Sequence, residues 1–437
     1  MKVDILCGQK EIPVEIPDDA IELNPRLPAA LSDPTAAVHE ALVRPIGTPA
    51  LSVLARGRWN ACVVISDVTR PVPNKIILPP ILQTLEAAGI KKENITILIA
   101  TGMHRPNLGE ELEQMVGADI MGNYKIVNHY CRKEEDLRKI ADIDGAPIEI
   151  NKHYLDADLK ILTGLIEPHM YAGYSGGRKS ILPGISSFKT MTFMHSYQMI
   201  DHPYVTNCKL DGNPFHAAGE KVAKLAGVDF MLNVVINKQR ELVGVFAGHH
   251  MLAHQTGCKM VESMSVQRMH KPVDLVVTSA GGYPLDATFY QVSKGLIAAS
   301  NIIREGGSII MVCECREGLG SQEYCALVRE GLTTDEFMAH RCRPENFEID
   351  QWCLQTTYQA LAKANNIYVY SPYLDEKELN AIGIVKIDDV QAAVTTLLAD
   401  HQTVAVSSEG PYVVGMLEQA AAAASNVSLL SGTEATL

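Results

Sequence analysis

Residues 164–184 read GLIEPHMYAGYSGGRKSILPG and directly follow an apolar run, residues 159–162, which predicts a buried strand. The glycines of this stretch allow the backbone to turn sharply and to approach a ligand closely. Free backbone N–H groups in such a loop favour an anion, most often a phosphate. His169, Arg178 and Lys179 lie in the same stretch, so the loop predicts acid–base groups beside an anion site.

A phosphate-binding P-loop is the first alternative, and its pattern is G-x-x-x-x-G-K-[ST]. Residues 173–180 read GYSGGRKS, which places Arg178 where the pattern requires its last glycine, so a P-loop is disfavoured. A solvated surface turn is also disfavoured, because Pro168 and Pro183 stiffen the loop. A phosphate- or nucleotide-binding protein without redox chemistry stays open as the alternative function.

Two further motifs follow predicted strands. Residues 67–73, DVTRPVP, come directly after the apolar run Ala61–Ser66, and residues 101–106, TGMHRP, come directly after Ile95–Ala100. In parallel sheets, ligands bind outside the carboxyl ends of the strands. These two motifs and the glycine-rich loop are therefore expected to form one shared site.

Strands that alternate with helices predict an α/β protein. We expect two α/β domains with largely parallel sheets and the active site in the cleft between them. The expected domains are a cofactor-binding domain, residues 1–268, and a second domain, residues 273–407, with residues 249–269 as the hinge and the tail 408–437 packing back on the first domain. Residues 404–406 are expected to close the second sheet. The predicted helices are residues 81–88, 110–116, 181–195, 214–225, 288–303, 321–330, 347–364, 375–381 and 390–400.

Composition limits the partners. The chain has 437 residues and a formal net charge of −13, which argues against nucleic acid and anionic membrane surfaces as partners. No apolar run approaches the roughly 20 residues of a membrane span, and the N-terminal residues lack the features of a signal peptide, so a cytoplasmic location is expected. The ten cysteines include no C-x-x-C pair, which disfavours a structural zinc site.

The central stretch contains E-P-H-x-x-A-G-Y-S-G-G-R-K-x-I-L-P-G, which resembles the central motif of the nickel-pincer lactate racemase family. The resemblance implies that Lys179 carries the cofactor, a nickel-bearing pyridinium mononucleotide joined through a thioamide, and that His169 is a catalytic base. A primary amine can form a thioamide, which fits Lys179 and not Arg178. The neighbouring residues expected to contact the cofactor are Tyr174, Ser175, Gly176 and Gly177.

The motif D-x-T-R-P-x-P suits two interpretations. Asp67 and Arg70 could form a buried pair that holds a turn, or the planar guanidinium of Arg70 could clamp a carboxylate. The family resemblance implies substrate binding for Arg70 and a supporting role at the cofactor for Asp67. The T-G-x-H-R motif implies that His104 is the second catalytic base.

Three weaker signals gain meaning from the resemblance. A histidine sixteen residues after the cofactor lysine implies that His195 ligates nickel, for which imidazole is suited. The pattern Y-Q-x-x-K implies substrate binding by Tyr290, Gln291 and Lys294. Trp352 matches a position near the cofactor, although a core aromatic residue is an equal interpretation.

His249, His250 and His254 have the i, i+4 spacing of some metal sites, but no carboxylate pattern accompanies them, so a solvated helix start is expected. The resemblance implies a racemase or epimerase of a small 2-hydroxy acid anion. Hydride transfer to the cofactor would give a planar 2-keto acid, and two histidines would serve as bases near neutral pH. Separate maturation enzymes would supply the cofactor.

Overall fold

A computed structural model of the chain describes residues 1–26, 28–341 and 343–418. The strands are β1 (Lys2–Cys7), β2 (Lys10–Glu15), β3 (Ile21–Glu22), β4 (Ala61–Ser66), β5 (Ile95–Ala100), β6 (Lys125–Asn128), β7 (Leu137–Ile143), β8 (Ala146–Asn151), β9 (Leu159–Leu165), β10 (Pro168–His169), β11 (Gly173–Tyr174), β12 (Phe230–Ile236), β13 (Leu242–Gly248), β14 (Val266–Met269), β15 (Val273–Ser279), β16 (Ile303–Val312), β17 (Asn366–Tyr370), β18 (Val385–Ile387), β19 (Val404–Ser407) and β20 (Val414–Leu417).

The helices lie between these strands. They are α1 (Pro34–Val43), α2 (Leu51–Leu54), α3 (Asn74–Ala87), α4 (Gly109–Val116), α5 (Ala118–Asn123), α6 (Lys152–Leu155), α7 (Phe188–Met194), α8 (Tyr197–Ile200), α9 (Pro214–Ala226), α10 (His250–Ser265), α11 (Phe289–Ser300), α12 (Gln322–Arg329), α13 (Thr334–Glu336), α14 (Gln351–Lys363), α15 (Glu376–Ala381) and α16 (Val390–Leu397). The predicted helix over residues 181–195 is wrong in extent. Ser187 caps α7 by accepting from Thr190 N–H, and His195 is the residue at its C-terminal end.

Within the described residues, the first sheet has the strand order β13-β12-β9-β4-β5-β6 and is parallel except for the hairpin β12–β13. The chain runs outward from β4 through β5 to β6 and then returns to β9 on the other side of β4. The topological switch point therefore lies between β4 and β9, which is where an open α/β sheet binds ligands. Residues 67–73 and the glycine-rich loop both start there.

Within the described residues, the second sheet has the order β18-β17-β16-β15-β19-β3, and all neighbouring strands in it are parallel. The expectation that residues 404–406 close this sheet is wrong, because β19 lies inside it and Ile21–Glu22 pairs along its outer side. The sheet's switch point lies between β15 and β19. The fold is thus two α/β units with largely parallel sheets, as predicted.

Successive side chains along each strand point to opposite faces of the sheet, and in both sheets the two faces are covered by other parts of the protein. One face of β4, with Val63 and Ile65, packs against α3, while the other face, with Cys62 and Val64, belongs to a core cluster that extends to residues of the second unit such as Leu296. Strands covered on both faces read as continuous apolar runs, which explains why β4 and β5 were visible in the sequence.

Both ends of the described chain pair with segments that are distant in sequence. The hairpin β1–β2 buries Val3, Ile5 and Val14 against Leu275 and Val277 of the second sheet. The sequence analysis assigned residues 1–268 to the first unit, whereas the structure pairs and packs this N-terminal segment with the second. At the other end, β20 pairs with β14 in parallel. The Ala-rich part of the tail, from residue 419 onward, lies outside the described residues.

No helix among the described residues is both long and apolar enough to cross a membrane.

Candidate active site

The glycine-rich loop leaves β9, forms the hairpin β10–β11 and ends in a 3-10 turn, Gly177–Ser180. Its N–H groups are largely used inside the protein: Ser175 N–H donates to the Glu167 carbonyl oxygen (3.0 Å), and Gly177 N–H donates to Asn233 Oδ1 (2.7 Å). The expectation of free N–H groups for an anion is wrong at these two positions, because Asn233 on β12 and the hairpin itself consume them.

Arg178 supports the loop from beneath. It is 1 % exposed, and its guanidinium donates to the Ala172 carbonyl oxygen (2.6 Å) and contacts His254 Nε2 (3.0 Å). His254 Nε2 is also 2.8 Å from the Ser175 carbonyl oxygen. Gly177 has φ +55°, and a Cβ there would lie 2.9 Å from the His254 ring, so a side chain at this position is excluded. Arg178 is therefore a structural residue, and the neighbouring lysine is left to face the site.

The prediction that His249, His250 and His254 form a solvated helix start is wrong. α10 begins at His250, and His250 and His254 are 8 % and 1 % exposed. Their i, i+4 spacing puts both on the helix face that packs under the loop. Periodicity alone did not distinguish this inward face from a solvated one.

Lys179 and His169 are in direct contact, with Nζ 2.6 Å from Nε2. The other ring nitrogen of His169, Nδ1, accepts backbone N–H groups from Tyr171 (3.1 Å) and Ala172 (3.3 Å). Burial, followed by the charges of Arg70, Arg178 and Lys294, holds the pKa of Lys179 well below its usual value. Burial and the neighbouring cations likewise hold the pKa of His169 well below its usual value.

Positive charge is concentrated here against the strongly acidic net charge of the chain. Arg70, Lys179 and Lys294 act on one another electrostatically, and burial with Arg70 lowers the pKa of Lys294 to about 8. Glu167 is the nearby acidic group, and its carboxylate lies 3.4 Å from Arg70 Nε. One terminal nitrogen, Nη1, donates to the Thr69 carbonyl oxygen (3.3 Å), and the other terminal nitrogen is left to bind a carboxylate. Glu167 was in the quoted stretch but received no role from the sequence.

His104 lies at the end of β5 and pairs with Asp67 at the end of β4. Its Nδ1 is 2.6 Å from Asp67 Oδ2, and the Thr69 hydroxyl donates to Asp67 Oδ1 (2.6 Å). Burial raises the pKa of Asp67, but the hydrogen bonds from His104 and Thr69 outweigh burial and the pKa is lowered overall. The ionised carboxylate takes the Nδ1 proton of His104 as a hydrogen bond. Asp67 thus pairs with His104, not with Arg70 as the alternative interpretation required.

His195 contacts the ring of Phe215, which Lys179 also contacts. Its Nδ1–H donates to the Met191 carbonyl oxygen (3.0 Å), and burial lowers its pKa to about 4. The ring is therefore neutral, and Nε2 keeps a lone pair of the kind that a metal ligand needs. Trp352 is 4 % exposed with its ring centroid 4.8 Å from that of His195, so it is both a core residue and a neighbour of this histidine.

The second unit contributes the facing side through α11 and α14. Tyr171 of the loop crosses to α14, where its hydroxyl donates to the Trp352 carbonyl oxygen (3.0 Å) and contacts the Thr356 hydroxyl (3.0 Å). Lys294 on α11 lies close enough to Arg70 for the two charges to interact. On the same helix, the buried Gln291 Oε1 has no hydrogen-bond partner among the described residues. Such an orphaned amide group suits contact with a polar ligand.

Tyr290 packs edge-on against Tyr324, with ring centroids 5.6 Å apart, and hydrogen-bonds to Asp350 at the start of α14. Two other predicted site residues have separate surroundings. Tyr174 points into a separate apolar cluster with Val243 and Val261. The Ser175 hydroxyl donates to the Leu165 carbonyl oxygen (2.7 Å). The side chains of Tyr174 and Ser175 thus shape the loop from its far side, and the contacts described here do not join them to the Lys179–His169 pair.

Asp350 is a site neighbour that the sequence analysis missed. It begins α14 in the left-handed region (φ +67°) and accepts from the Ser321 hydroxyl (2.6 Å). Burial raises the pKa of Asp350. Hydrogen bonds from Ser321 and Tyr290, and the nearby His104, reduce this rise. An isolated aspartate before a helix carries no sequence signal for this placement. Among the described residues, no three histidine, cysteine or carboxylate side chains are grouped closely enough to hold a metal ion.

A switch-point site with a buried lysine, one histidine beyond each of the two strands that flank β4, and a cluster of cations suits acid–base chemistry on an anionic substrate in a two-unit α/β protein. Comparisons with known proteins specify the class. Residues 7–207 match the lactate racemase N-terminal domain family, and residues 268–414 match the lactate racemase C-terminal domain family.

Two characterised relatives agree. A lactate racemase from Thermoanaerobacterium thermosaccharolyticum is 38 % identical over 376 residues, which cover 84 % of this chain and 87 % of the relative. A lactate racemase from Lactiplantibacillus plantarum is 38 % identical over 335 residues, covering 76 % and 78 %. The chain belongs to the lactate racemase family and is an isomerase.

Solved structures support the fold. The lactate racemase apoprotein from Thermoanaerobacterium thermosaccharolyticum superposes with a TM-score of 0.89 at 33 % identity, covering 95 % of this chain and 100 % of that one. A protein from Thermotoga maritima shares the fold alone, with a TM-score of 0.65 at 18 % identity over 88 % of this chain and 98 % of that one.

Proposed function

We propose that this protein interconverts the enantiomers of lactate or of a closely related 2-hydroxy acid, using a nickel-pincer nucleotide bound covalently to Lys179. The observation that carries the proposal is the Lys179–His169 contact of 2.6 Å inside a cationic pocket. A lysine whose pKa is held down by burial and by three neighbouring cations has the uncharged amine that covalent attachment needs. The same cations suit a carboxylate substrate.

The residues present fit such a cofactor. Lys179 offers the amine, His195 offers the Nε2 lone pair to nickel, and Trp352 packs beside His195. In the proposal, the cofactor's own soft atoms complete the nickel coordination. When bound, the cofactor supplies a reversible hydride acceptor, so that the substrate passes through a planar 2-keto acid.

The side chains of the pocket would then bind the substrate and move its hydroxyl proton. The guanidinium of Arg70, held at Nε by Glu167, and the amine of Lys294 bind the carboxylate. Gln291, on the same helix as Lys294, would contact the substrate through its amide N–H groups, which can donate to the carboxylate, so that the single hydroxyl proton is left for the histidine base. His104 takes the hydroxyl proton of one enantiomer at Nε2, and His169 serves the other. General acid–base groups of this kind contribute about 10²–10⁴-fold.

A phosphate- or nucleotide-binding protein without redox chemistry remains the alternative. It would use the glycine-rich loop as an anion cradle. The N–H groups of Ser175 and Gly177 donate to protein oxygens, which speaks against that use. We also propose a cytoplasmic location, where cofactor-maturation enzymes would be partners of this chain.

The test requires protein produced together with the maturation enzymes. Peptide mass analysis should find an adduct on Lys179, metal analysis should find nickel, and each pure lactate enantiomer should lose its optical rotation. A panel of other 2-hydroxy acids defines the substrate. Loaded protein that changes the rotation of no 2-hydroxy acid, or an adduct on a different lysine, contradicts the proposal.

A further inference from the structure

The two histidines of the site differ in what their Nδ1 atoms contact. In His104, Nδ1 faces the carboxylate of Asp67, which is an acceptor and cannot donate once ionised. In His169, Nδ1 faces two backbone N–H groups, which donate and cannot accept. A ring nitrogen that meets an acceptor must carry the proton, whereas one that meets a donor must not.

The orientation of the His169 ring is fixed by the same contacts. A rotation by 180° about Cβ–Cγ would place a carbon, Cδ2, where Nδ1 now accepts from Tyr171 and Ala172. It would also remove Nε2 from Lys179, leaving the amine beside a C–H group. The observed orientation satisfies three polar groups and the rotated one satisfies none of them.

We propose that the two histidines hold opposite tautomers, with the proton of His104 on Nδ1 and the proton of His169 on Nε2, and that His169 donates this proton to an uncharged Lys179. The contact of 2.6 Å between Nε2 and Nζ needs one donor and one lone pair. Since Nδ1 of His169 has no proton, a neutral ring must carry it on Nε2. The lone pair therefore comes from Lys179, and a protonated amine would leave two donors facing each other.

The charges around the pair favour this state. Burial together with Arg70 and Lys294 raises the cost of a charge on both Lys179 and His169, and at Lys179 the charge of Arg178 adds to this cost while Glu167 opposes it. The protein thus keeps Lys179 as a nucleophile before any cofactor is attached. His104 is left with an open lone pair at Nε2.

The catalytic consequence rests on the proposed function. In the racemase reaction, the hydroxyl proton of the substrate would go to His104 first, because its Nε2 is unprotonated and Asp67 stabilises the resulting imidazolium. His169 would enter with its proton on Nε2 and could donate a hydrogen bond to the substrate oxygen, but it could act as the base for the other enantiomer only after a change of tautomer that breaks its contacts with Tyr171 and Ala172. The two histidines would therefore enter the reaction as different tautomers, and the enzyme would not be symmetric toward the two enantiomers.

The first test is ¹⁵N NMR of the unloaded protein with labelled histidine, since protonated and unprotonated ring nitrogens resonate far apart and couplings to ring protons identify each. The chain contains its own references. His129 donates from Nε2 to Ser186 O (2.9 Å) while Nδ1 accepts from Asn151, and His401 contacts Leu397 O through Nδ1 (2.7 Å). We expect His169 to match His129, and His104 to match His401. The His169→Gln and His104→Gln variants assign the signals.

The second test measures Lys179 itself by limited acylation and peptide mass analysis across pH, with the exposed Lys224 as the reference. The labelling rate of Lys179 should level off at a lower pH than that of Lys224. His169→Gln, which keeps a donor near Nε2, should label within about twofold of the wild type. His169→Asn keeps an acceptor near Nδ1 but loses that donor, so labelling at pH 7 should fall about fivefold, the equivalent of one hydrogen bond of about 1 kcal/mol.

A proton on Nδ1 of His169, a charged His169 ring, or parallel labelling profiles for Lys179 and Lys224 would each overturn the inference. These measurements use unloaded protein and are independent of turnover. Loaded protein that fails to racemise any 2-hydroxy acid would remove the catalytic consequence and leave the tautomers in place. If the protein racemises a 2-hydroxy acid but its histidines have other tautomers, the proposed function stands and the tautomer inference is overturned.

Discussion

The two sheets have the same construction but different carboxyl ends. In the first sheet, the switch point between β4 and β9 opens onto Asp67, Arg70 and Lys179. In the second sheet, the switch point between β15 and β19 is filled by the protein: Tyr283 N–H donates to the Gly8 carbonyl oxygen (2.9 Å) at the tip of the β1–β2 hairpin, and residues 410–412 pack over Gly281. One end is built for a ligand and the other for an internal contact.

Two buried aspartates show what the difference means. Asp67 holds a side chain, the imidazole of His104, that reaches into the site. Asp286 is 0 % exposed and accepts the backbone N–H groups of Gly8 (2.7 Å) and Glu314 (3.0 Å). A carboxylate that holds a mobile side chain serves chemistry, whereas one that holds backbone serves the fold. The switch-point rule identifies candidate positions, and the hydrogen-bond partners decide which of them is used.

The largest expected effect comes from Lys179, which lies at the carboxyl end of the first sheet. Lys179→Arg keeps the positive charge but removes the primary amine, so no thioamide can form. Protein made with the maturation enzymes should carry no adduct at position 179 and should show no detectable racemisation. Peptide mass analysis and polarimetry measure both.

The matched control lies in the second sheet, where Lys386 on β18 donates to the Leu374 carbonyl oxygen (2.8 Å). Lys386→Arg should load and racemise like the wild type. A Lys179→Arg protein that still carries the cofactor and racemises the substrate would show that Lys179 is not the attachment site.

The next effect separates the two aspartates. Asp67→Asn removes the charge that orients His104 and stabilises its protonated form, so kcat should fall about 100-fold, as for other partners that orient a functional histidine. Asp286→Ala removes the oxygen that accepts two buried N–H groups, so the free energy of unfolding should fall by about 1–3 kcal/mol while kcat is unchanged. Steady-state kinetics and urea unfolding measure the two quantities. An Asp286→Ala protein with normal stability and low kcat would reverse the assignment.

The pH dependence of stability should also reflect His129 of the first unit, a buried histidine that stays neutral in the folded protein. His129 is 1 % exposed, and burial lowers its pKa to about 4. The unfolded chain takes up a proton on this residue near pH 6.5, while the folded protein resists it until about pH 4. The stability that His129 contributes is therefore complete above pH 6.5 and is lost as the pH falls, at about 1.4 kcal/mol per pH unit.

Urea unfolding between pH 7 and pH 4.5 measures this slope. In His129→Gln, an amide can still donate to the Ser186 carbonyl oxygen but cannot be protonated. The variant should lose about 1.4 kcal/mol per pH unit of the wild-type slope. A slope equal to that of the wild type would show that His129 is not neutral in the folded protein.

Much of the site at the carboxyl end of the first sheet could be predicted from the sequence, because each of its motifs directly follows an apolar run. β4 and β5 have the predicted bounds, and Asp67 and His104 come just after them. What local patterns could not give is long-range pairing. Nothing within residues 1–22 indicates that Ile21–Glu22 pairs with β19, because a two-residue strand is set by its partner and not by its own periodicity.

The same limit explains the errors within the site. His254 has the spacing of either a solvated or a buried helix face, and the loop packed on α10 decides between them. The glycine-rich loop resembles an anion cradle by composition, but Asn233, almost 60 residues further along, takes the N–H of Gly177. Composition indicates that a loop can bind an anion, whereas the fold determines whether its donors are free.

The smallest expected effect compares two arginine–glutamate pairs, one at each carboxyl end. Arg70 meets Glu167 through Nε alone (3.4 Å), while Arg316 binds Glu314 through both Nε (2.7 Å) and a terminal nitrogen (2.9 Å). In the first pair, one terminal nitrogen of Arg70 donates to the Thr69 carbonyl oxygen (3.3 Å) and the other is left for a substrate carboxylate, whereas the second pair uses its donors internally. A lysine keeps the charge at either place but loses the planar fork.

Arg70→Lys should therefore raise KM for the 2-hydroxy acid about tenfold, since roughly 1.4 kcal/mol is a reasonable loss for one charge-assisted hydrogen bond. Arg316→Lys should leave KM unchanged and should lower the free energy of unfolding by about 1 kcal/mol, because a lysine keeps the charge beside the buried Glu314 but loses one of the two hydrogen bonds. Kinetics on both variants at low substrate concentration measure the contrast. If Arg70→Lys matched the wild type there, Arg70 would be a structural residue like Arg316, and the two ends of the molecule would differ in the lysine and the histidines but not in their arginines.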